Sequence, residues 1–423
     1  MTDRSVAPPV HRVQQLFLPP PKVLRLSNGV PVYVTNMGTQ DVTKIQLVFR
    51  AGRPFERKKL IARATAGLLK EGTRSFDSAA IAEQVDFYGA TLGTSCGLDV
   101  ASVTLYSLNR HLHHLWPLLS EVLLEPVFPQ RELDTYIENN KRRLQVDLTK
   151  NDVVAYRLIS ERLFGRHHPY GYNSSKRAYN GIKRADLQAH FSNHFTARNC
   201  EVFVSGRVTE ELLQSLSELV EQLPTGRRSR MRKMDPPDGG PQREHVRLPE
   251  SMQTAMRIGR RIMPRTHADF VPFTVLNTIF GGYFGSRLNM NIREEKGYTY
   301  SIYSTQDNMQ QAACLYVASE VNNESLDAAR REIYLEMEKL CNDLVPAGEL
   351  EMVRNYMLGN MLNMVDGPFN VGDAVRMLRF YGLPHTAFSD LVDTVNGITS
   401  QQLRDLAQRY LAPNSMWEVT VGA

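Results

Sequence analysis

Two groups of histidines are the first residues whose types and spacing could do chemistry. His190 and His194 stand at i, i+4, so on a helix both imidazoles would leave one face and could share a divalent metal. His111, His113 and His114 form the second group. A hydrolytic zinc site also needs a glutamate beside its histidines as general base, in HExxH or in its inverse HxxEH. Neither arrangement occurs in the chain, so both groups are expected to be surface or amphipathic histidines. Cys96, Cys200, Cys314 and Cys341 are far apart and include no CxxC pair, which excludes a zinc knuckle and a dithiol redox motif. Gly281, Gly282 and Gly285 resemble a phosphate cradle only in part. No Lys-Ser/Thr follows them, and a tight helix–strand junction is expected instead. The methionines from Met352 to Met364 recur at near-helical spacing and read as core packing.

The elements that would carry such residues come from a chain of 423 residues, more than one hydrophobic core usually holds. Hydrophobic residues make up 42% and charged residues 22%, the composition of an ordinary globular protein. Fifty basic and 45 acidic side chains leave a formal charge of +5 and are well mixed along the chain. That balance argues against a nucleic-acid surface and leaves a weakly acidic peptide partner admissible. The first residues, Met1 to Pro21, hold charges and prolines but no apolar signal segment, and no run of 18 apolar residues occurs. No membrane contact is expected. With free thiols, these features predict a soluble cytoplasmic protein.

The chain repeats itself. Asn180-Gly181-Ile182, a helical pattern through Leu187, and a strand ending at Gly206 recur as Asn396-Gly397-Ile398, Leu403 and Gly422, at an offset of 216 residues. Pro129, Glu132 and Leu133 open one long helix, and Pro346, Glu349 and Leu350 open another at an offset of 217. Between the copies, Pro224 to Gly240, with its basic run Arg227 to Lys233, has the chemistry of a solvated linker. Two homologous domains follow, at 1–222 and 243–423, joined by a linker at 223–242.

Within the first copy, Val32 to Asn36 and Ile45 to Ala51 read as strands, Leu60 to Leu69 and Ser78 to Phe87 as helices, Thr91 to Tyr106 as a hairpin and His111 to Leu124 as an apolar helix. Asp77 or Ser78 caps the second of these helices. The order is not a strict strand–helix alternation. An α+β fold is expected, each domain layering helices on a largely antiparallel mixed sheet.

Arg50-Ala51-Gly52-Arg53-Pro54-Phe55-Glu56, the helix Leu60 to Leu69 and Lys70-Glu71-Gly72-Thr73 resemble the pitrilysin and mitochondrial-processing-peptidase family of inverzincin metallopeptidases. The second copy resembles that family more closely. Leu276-Asn277-Thr278-Ile279-Phe280-Gly281-Gly282-Tyr283-Phe284-Gly285-Ser286-Arg287-Leu288-Asn289, then Ile292-Arg293-Glu294-Glu295-Lys296-Gly297-Tyr298-Thr299-Tyr300-Ser301, matches its C-terminal signature. Registered on Gly72-Thr73, the family's HxxEH falls on Arg63-Ala64-Thr65-Ala66-Gly67, so both histidines and the base are replaced, at Arg63, Ala66 and Gly67. The third ligand falls near Val146, between Gln145 and Asp147.

The resemblance implies half of a clamshell and a non-catalytic, substrate-binding subunit of a heterodimeric zinc endopeptidase acting on short or unfolded peptides. Arg293 and Tyr300 would act in trans on the partner's zinc site, donating to the peptide carbonyl and its oxyanion, while Gly281 and Gly282 line the substrate path. No metal is expected in this chain. Zinc belongs to a homologous, HxxEH-bearing partner. The alternatives are a purely structural scaffold and a stand-alone hydrolase built around Asp147 and the histidines.

Overall fold

The computed structural model describes residue 13 and residues 15–231 and 240–423. Most of the N-terminal segment considered above, and the linker stretch from Arg232 through Gly239, lie outside the described residues. The first sheet contains β1 (Lys22–Arg25), β2 (Pro31–Asn36), β3 (Val42–Phe49), β4 (Thr91–Cys96), β5 (Ala101–Leu108) and β6 (Cys200–Gly206), in the order β1-β2-β6-β3-β5-β4. The second contains β7 (Arg243–Arg247), β8 (Gln253–Ile262), β9 (Ile302–Asn308), β10 (Ala313–Asn322) and β11 (Trp417–Gly422), in the order β7-β11-β8-β10-β9. Without β1 the two orders are the same. Each sheet has one parallel pair, β2 with β6 and β7 with β11, and is otherwise antiparallel, the largely antiparallel mixed sheet expected of the sequence.

The first half contributes α1 (Ile61–Leu68), α2 (Ser78–Phe87), α3 (Leu112–Leu124), α4 (Gln130–Asp147), α5 (Asn151–Phe164), α6 (Lys176–Asn180), α7 (Arg184–His194) and α8 (Glu210–Glu221). The second half adds α9 (Phe270–Asn277), α10 (Leu326–Asn342), α11 (Ala347–Met364), α12 (Gly367–Tyr381), α13 (Ala387–Gly397) and α14 (Ser400–Tyr410). Local chemistry sets their ends. The Asp77 carboxylate accepts from Ala80 N at 2.8 Å to open α2, and Thr399 and Gln402 form a reciprocal capping box on α14. Gly382, at φ +68°, stops α12 in the left-handed conformation that glycine adopts without a steric penalty. β3 begins at Val42 rather than Ile45 and ends at Phe49, because its backbone pairs with β5 and β6 over that span.

Both faces of each sheet are covered. Ile45, Leu47 and Phe49 of β3, all fully buried, point with Val202 and Val204 into a core closed by α1, α3, α7 and α8. The opposite face, with Tyr33 and Phe203, belongs to the core of the second half, where α12 lies against β2 and β6. The reverse also holds. α5 leaves the first half and packs Ala155, Ile159 and Leu163 on Ala255, Tyr316 and Val419 of the second sheet. α5 and α12 begin 216 residues apart, so they are the same element of the repeat, and each covers the other half's sheet. Gly372 makes the α12 approach possible, since a Cβ there would run into the Ser205 hydroxyl of β6.

Polar contacts tie the halves together. Arg162 of α5 grips Glu244 of β7 with two hydrogen bonds of 2.6 and 2.8 Å. The Asp99 carboxylate accepts from the Tyr170 hydroxyl and from Gln310 N of the second half, the latter at 3.0 Å. The start of the expected linker is exposed but tied to the first half. Thr225 O and Arg227 O accept from Arg198 N and the Asn199 amide, and Ser229 N donates to Asn199 Oδ1 at 2.6 Å. Among the described residues, no helix is long and apolar enough to cross a membrane.

Candidate functional site

The segment after α9 is shaped by two wide helical turns. α9 runs on into a π-helical turn at Thr278–Gly282, and a second spans Asn289–Glu295 before the chain enters β9. Such turns push side chains off the regular α-helical path and are common at functional sites. Amide side chains hold them in place. Asn289 Nδ2 donates to Ile302 O at 2.9 Å, and Ser304 Oγ donates to Asn277 Oδ1 at 2.7 Å. Asn291 Nδ2 donates to Glu336 Oε1 of α10 at 2.7 Å, while Lys296 pairs with Glu332 at 2.8 Å. Thr299 Oγ1, donating to Glu320 O at 2.6 Å, fixes the loop that carries Tyr300.

On this frame Arg293 and Tyr300 come together. The Arg293 guanidinium lies 5.8 Å from the Tyr300 ring centroid and 4.8 Å from that of Phe284, with Nη1 2.8 Å from the Glu294 carboxylate. Arg293 is only partly exposed, whereas Tyr300 is 89% and Phe284 75% exposed. β9, which follows directly, pairs among the described residues with β10 alone and has no strand on its other edge. A cation flanked by two exposed rings at an open strand edge can bind an extended peptide through backbone pairing, stacking and charge-assisted donation. Gly282 reaches the surface here. Gly281 does not: it is buried, and a Cβ there would stand 2.6 Å from Ser304 N, so it sets the distance between the turn and β9. Sequence reasoning missed Phe284, although it lies in the quoted signature, because nothing local shows that its ring stays outside.

Among the described residues, the first half offers no donor set for a metal. Arg63, Ala66 and Gly67 lie on α1 as registered, with Ala66 buried. Facing Gly67 is the ring of Tyr136 from α4, 3.3 Å from where a Cβ would stand. Arg63, Asn140, Leu144 and Asp147 line a cavity of about 250 Å³. Asp147 sits among cations, 3.7 Å from Arg143 and 3.5 Å from Lys150, and Val146, 58% exposed, is not part of the cavity wall. An arginine, an alanine, a glycine and an ion-paired aspartate do not fit zinc. Among the described residues, no three His, Cys, Asp or Glu side chains converge on a possible metal position.

The histidine pair behaves differently from expectation. His190 is buried, its Nε2 donating to Ala51 O at 3.0 Å, because its spacing from Leu187 puts it on the inner face of α7. Burial holds its imidazole down at about 4. His194 contacts Ser229 Oγ at 2.7 Å. His113 and His114 touch each other, and His114 stacks on Tyr88. Of the methionines on α11, Met361 is buried, while Met352 is 57% exposed.

Known proteins resemble the chain in sequence and in fold. Residues 181–357 match the family model described as "Peptidase M16 inactive domain". A Bacillus subtilis protein named "Uncharacterized zinc protease YmxG" is 19% identical over 90% of this chain and 93% of its own. The "Non-peptidase homolog YmxG" of Helicobacter pylori is 22% identical over 88% and 87%. A crystal structure described as a peptidase M16 inactive domain from Pseudomonas fluorescens superposes with a TM-score of 0.87 at 21% identity, covering 95% of this chain and 98% of that one. With its doubled mixed sheets and its signature at residues 276–301, the chain is similar in sequence and fold to pitrilysin-type M16 peptidases, and its positions registered on HxxEH hold no zinc ligand.

Proposed function

We propose that this chain is the non-catalytic, substrate-binding subunit of a heterodimeric zinc endopeptidase, working in the cytoplasm on short or unfolded peptides. One observation carries the reading. Tyr300 is almost fully exposed beside Arg293 and Phe284, at a free strand edge, in a chain whose α1 has no metal ligands. A tyrosine kept for packing would be covered. The Arg293 guanidinium and the Tyr300 phenol would donate to a peptide carbonyl held at the zinc of a homologous, HxxEH-bearing subunit and to the oxyanion that forms there. Gly282 would leave room for the peptide backbone.

The test is reconstitution. The chain alone, and mixed with an HxxEH-bearing homologue from the same genome, is assayed for bound zinc and for cleavage of an unstructured peptide library. An inert, zinc-free chain that the mixture needs for full activity is the expected result; stoichiometric zinc or cleavage in the isolated chain would overturn it. The Arg293–Glu294 pair favours one second reading, a scaffold subunit in which the arginine is only structural. That reading wins if Arg293→Ala and Tyr300→Phe leave the assembled enzyme fully active.

A further inference from the structure

Where the two halves meet lies a cleft of about 550 Å³ that shares no lining residue with the α1 cavity and does not include Arg293. Its floor is the first sheet's outer face, with Tyr33 stacked on Phe203 at a centroid distance of 5.0 Å. Phe380 and Gln310 of the second half close its far side. Among the described residues six arginines line it, Arg25, Arg50, Arg198, Arg228, Arg376 and Arg379, with Glu201 as the single carboxylate and no lysine.

These cations are poorly compensated. Arg376 Nε is buried without a hydrogen-bond partner among the described residues; the nearby Asp373 carboxylate is 3.5 Å away and is already held by Lys44 at 2.7 Å. The Arg379 guanidinium stands 3.9 Å from Glu201, the outer limit of an ion pair. Burial, and then the charge of Arg228, make Arg50 a weaker base than usual, as expected where like charges crowd a half-covered site. A small, multiply charged anion would relieve that crowding.

We infer that this cleft binds a compact oligophosphate, either inorganic triphosphate or the phosphate chain of a nucleotide. The volume is that of a small-molecule site. Guanidinium forks match phosphate oxygens two at a time and desolvate more easily than ammonium groups. Five positive charges in excess call for a ligand of high charge density rather than a single carboxylate. Because Arg50 and Arg228 come from one half and Arg376 and Arg379 from the other, the bound anion bridges the halves and stabilises their junction.

The experiment is calorimetric titration and thermal unfolding of the full chain with inorganic triphosphate and with ATP, at constant ionic strength to remove general screening. Both ligands are expected to bind saturably and to raise Tm. Arg50→Gln and Arg379→Gln should each weaken binding by about tenfold or more, and Glu201→Gln, which removes the opposing charge, should tighten it. Tighter binding of ATP than of triphosphate means that the nucleoside is recognised as well, and equal affinities mean that the phosphates alone are recognised. Absence of saturable binding to the unaltered chain overturns the inference. So does binding that ignores Arg50→Gln, Arg379→Gln and Glu201→Gln, since the anion would then sit elsewhere.

Discussion

Lys44 of β3 reaches across to Asp373 of α12, Nζ to Oδ1 at 2.7 Å, with the lysine side chain only 7% exposed. The ammonium also lies 5.4 Å from the Tyr106 ring centroid. A lysine so covered needs its counter-charge, because removing one partner of a covered pair leaves the other desolvated and unpaired. Asp373→Ala should therefore cost about 2 to 3 kcal/mol, below the fully buried range because the aspartate is 42% exposed. Replacing both residues, Lys44→Met with Asp373→Leu, should cost less than the single change. Urea midpoints of the three proteins decide it. A single variant as stable as the parent would show that the junction does not depend on this pair.

Tyr136 gives a prediction of the opposite sign. Its ring fills the space beside Gly67, but its hydroxyl is buried without a hydrogen-bond partner among the described residues, and burial raises its pKa well above the usual phenol value. Deleting a buried hydroxyl that nothing satisfies removes a desolvation cost of about 1 kcal/mol or more. Tyr136→Phe should leave the protein as stable as before or more stable by about that amount. A loss above about 1 kcal/mol would reveal a partner for the hydroxyl, such as bound water.

Much of the architecture was legible because the repeat is enforced by packing at matching places. Leu187 and Leu403 are both fully buried, and Gly206 and Gly422 each end a strand where a Cβ would strike the neighbouring strand, at Val42 O and the Thr254 hydroxyl. Those constraints keep residue types at a fixed offset. What could not be read was which partner each face meets. The apolar stripe of α5 has the same pattern whether it covers its own sheet or the other half's, and His190 looks amphipathic until Ala51 O is known to accept from it. The arginine cleft is gathered from β1, the turn after β3, the turn before β6, the stretch after α8 and α12, so no window of sequence holds it. Arg293 and Tyr300 were visible only through a family signature; their meeting with Phe284 depends on the Asn289–Glu295 turn.

His190 makes stability depend on pH. Its pKa lies at about 4 when folded, against an ordinary 6.5, so between those values the unfolded chain binds the extra proton. The contribution is thus complete above pH 6.5 and is lost as pH falls toward 4, a change of up to about 3 kcal/mol. His190→Gln keeps an N–H for Ala51 O but removes the titration. Urea unfolding at pH 7 and pH 5 should show a smaller loss for the variant than for the parent. Equal losses would assign the acid sensitivity to other groups.

The proposed role of Arg293 and Tyr300 predicts how their loss divides between binding and turnover. Donors aimed at a developing oxyanion act in the transition state, so Arg293→Ala in the assembled enzyme should lower kcat by about 10² to 10³ with little change in KM. Tyr300→Phe removes a neutral donor and should cost about tenfold. Phe284 touches the guanidinium face and is itself exposed, so Phe284→Ala loosens the arginine without removing it, and a smaller fall in kcat is expected. Tyr300 is 89% exposed, so its loss should leave the fold of this chain intact, and unchanged unfolding curves check that. If Arg293→Ala instead raises KM at constant kcat, the arginine grips the peptide equally in the ground and transition states, and stabilisation of the oxyanion must come from Tyr300 or from the partner.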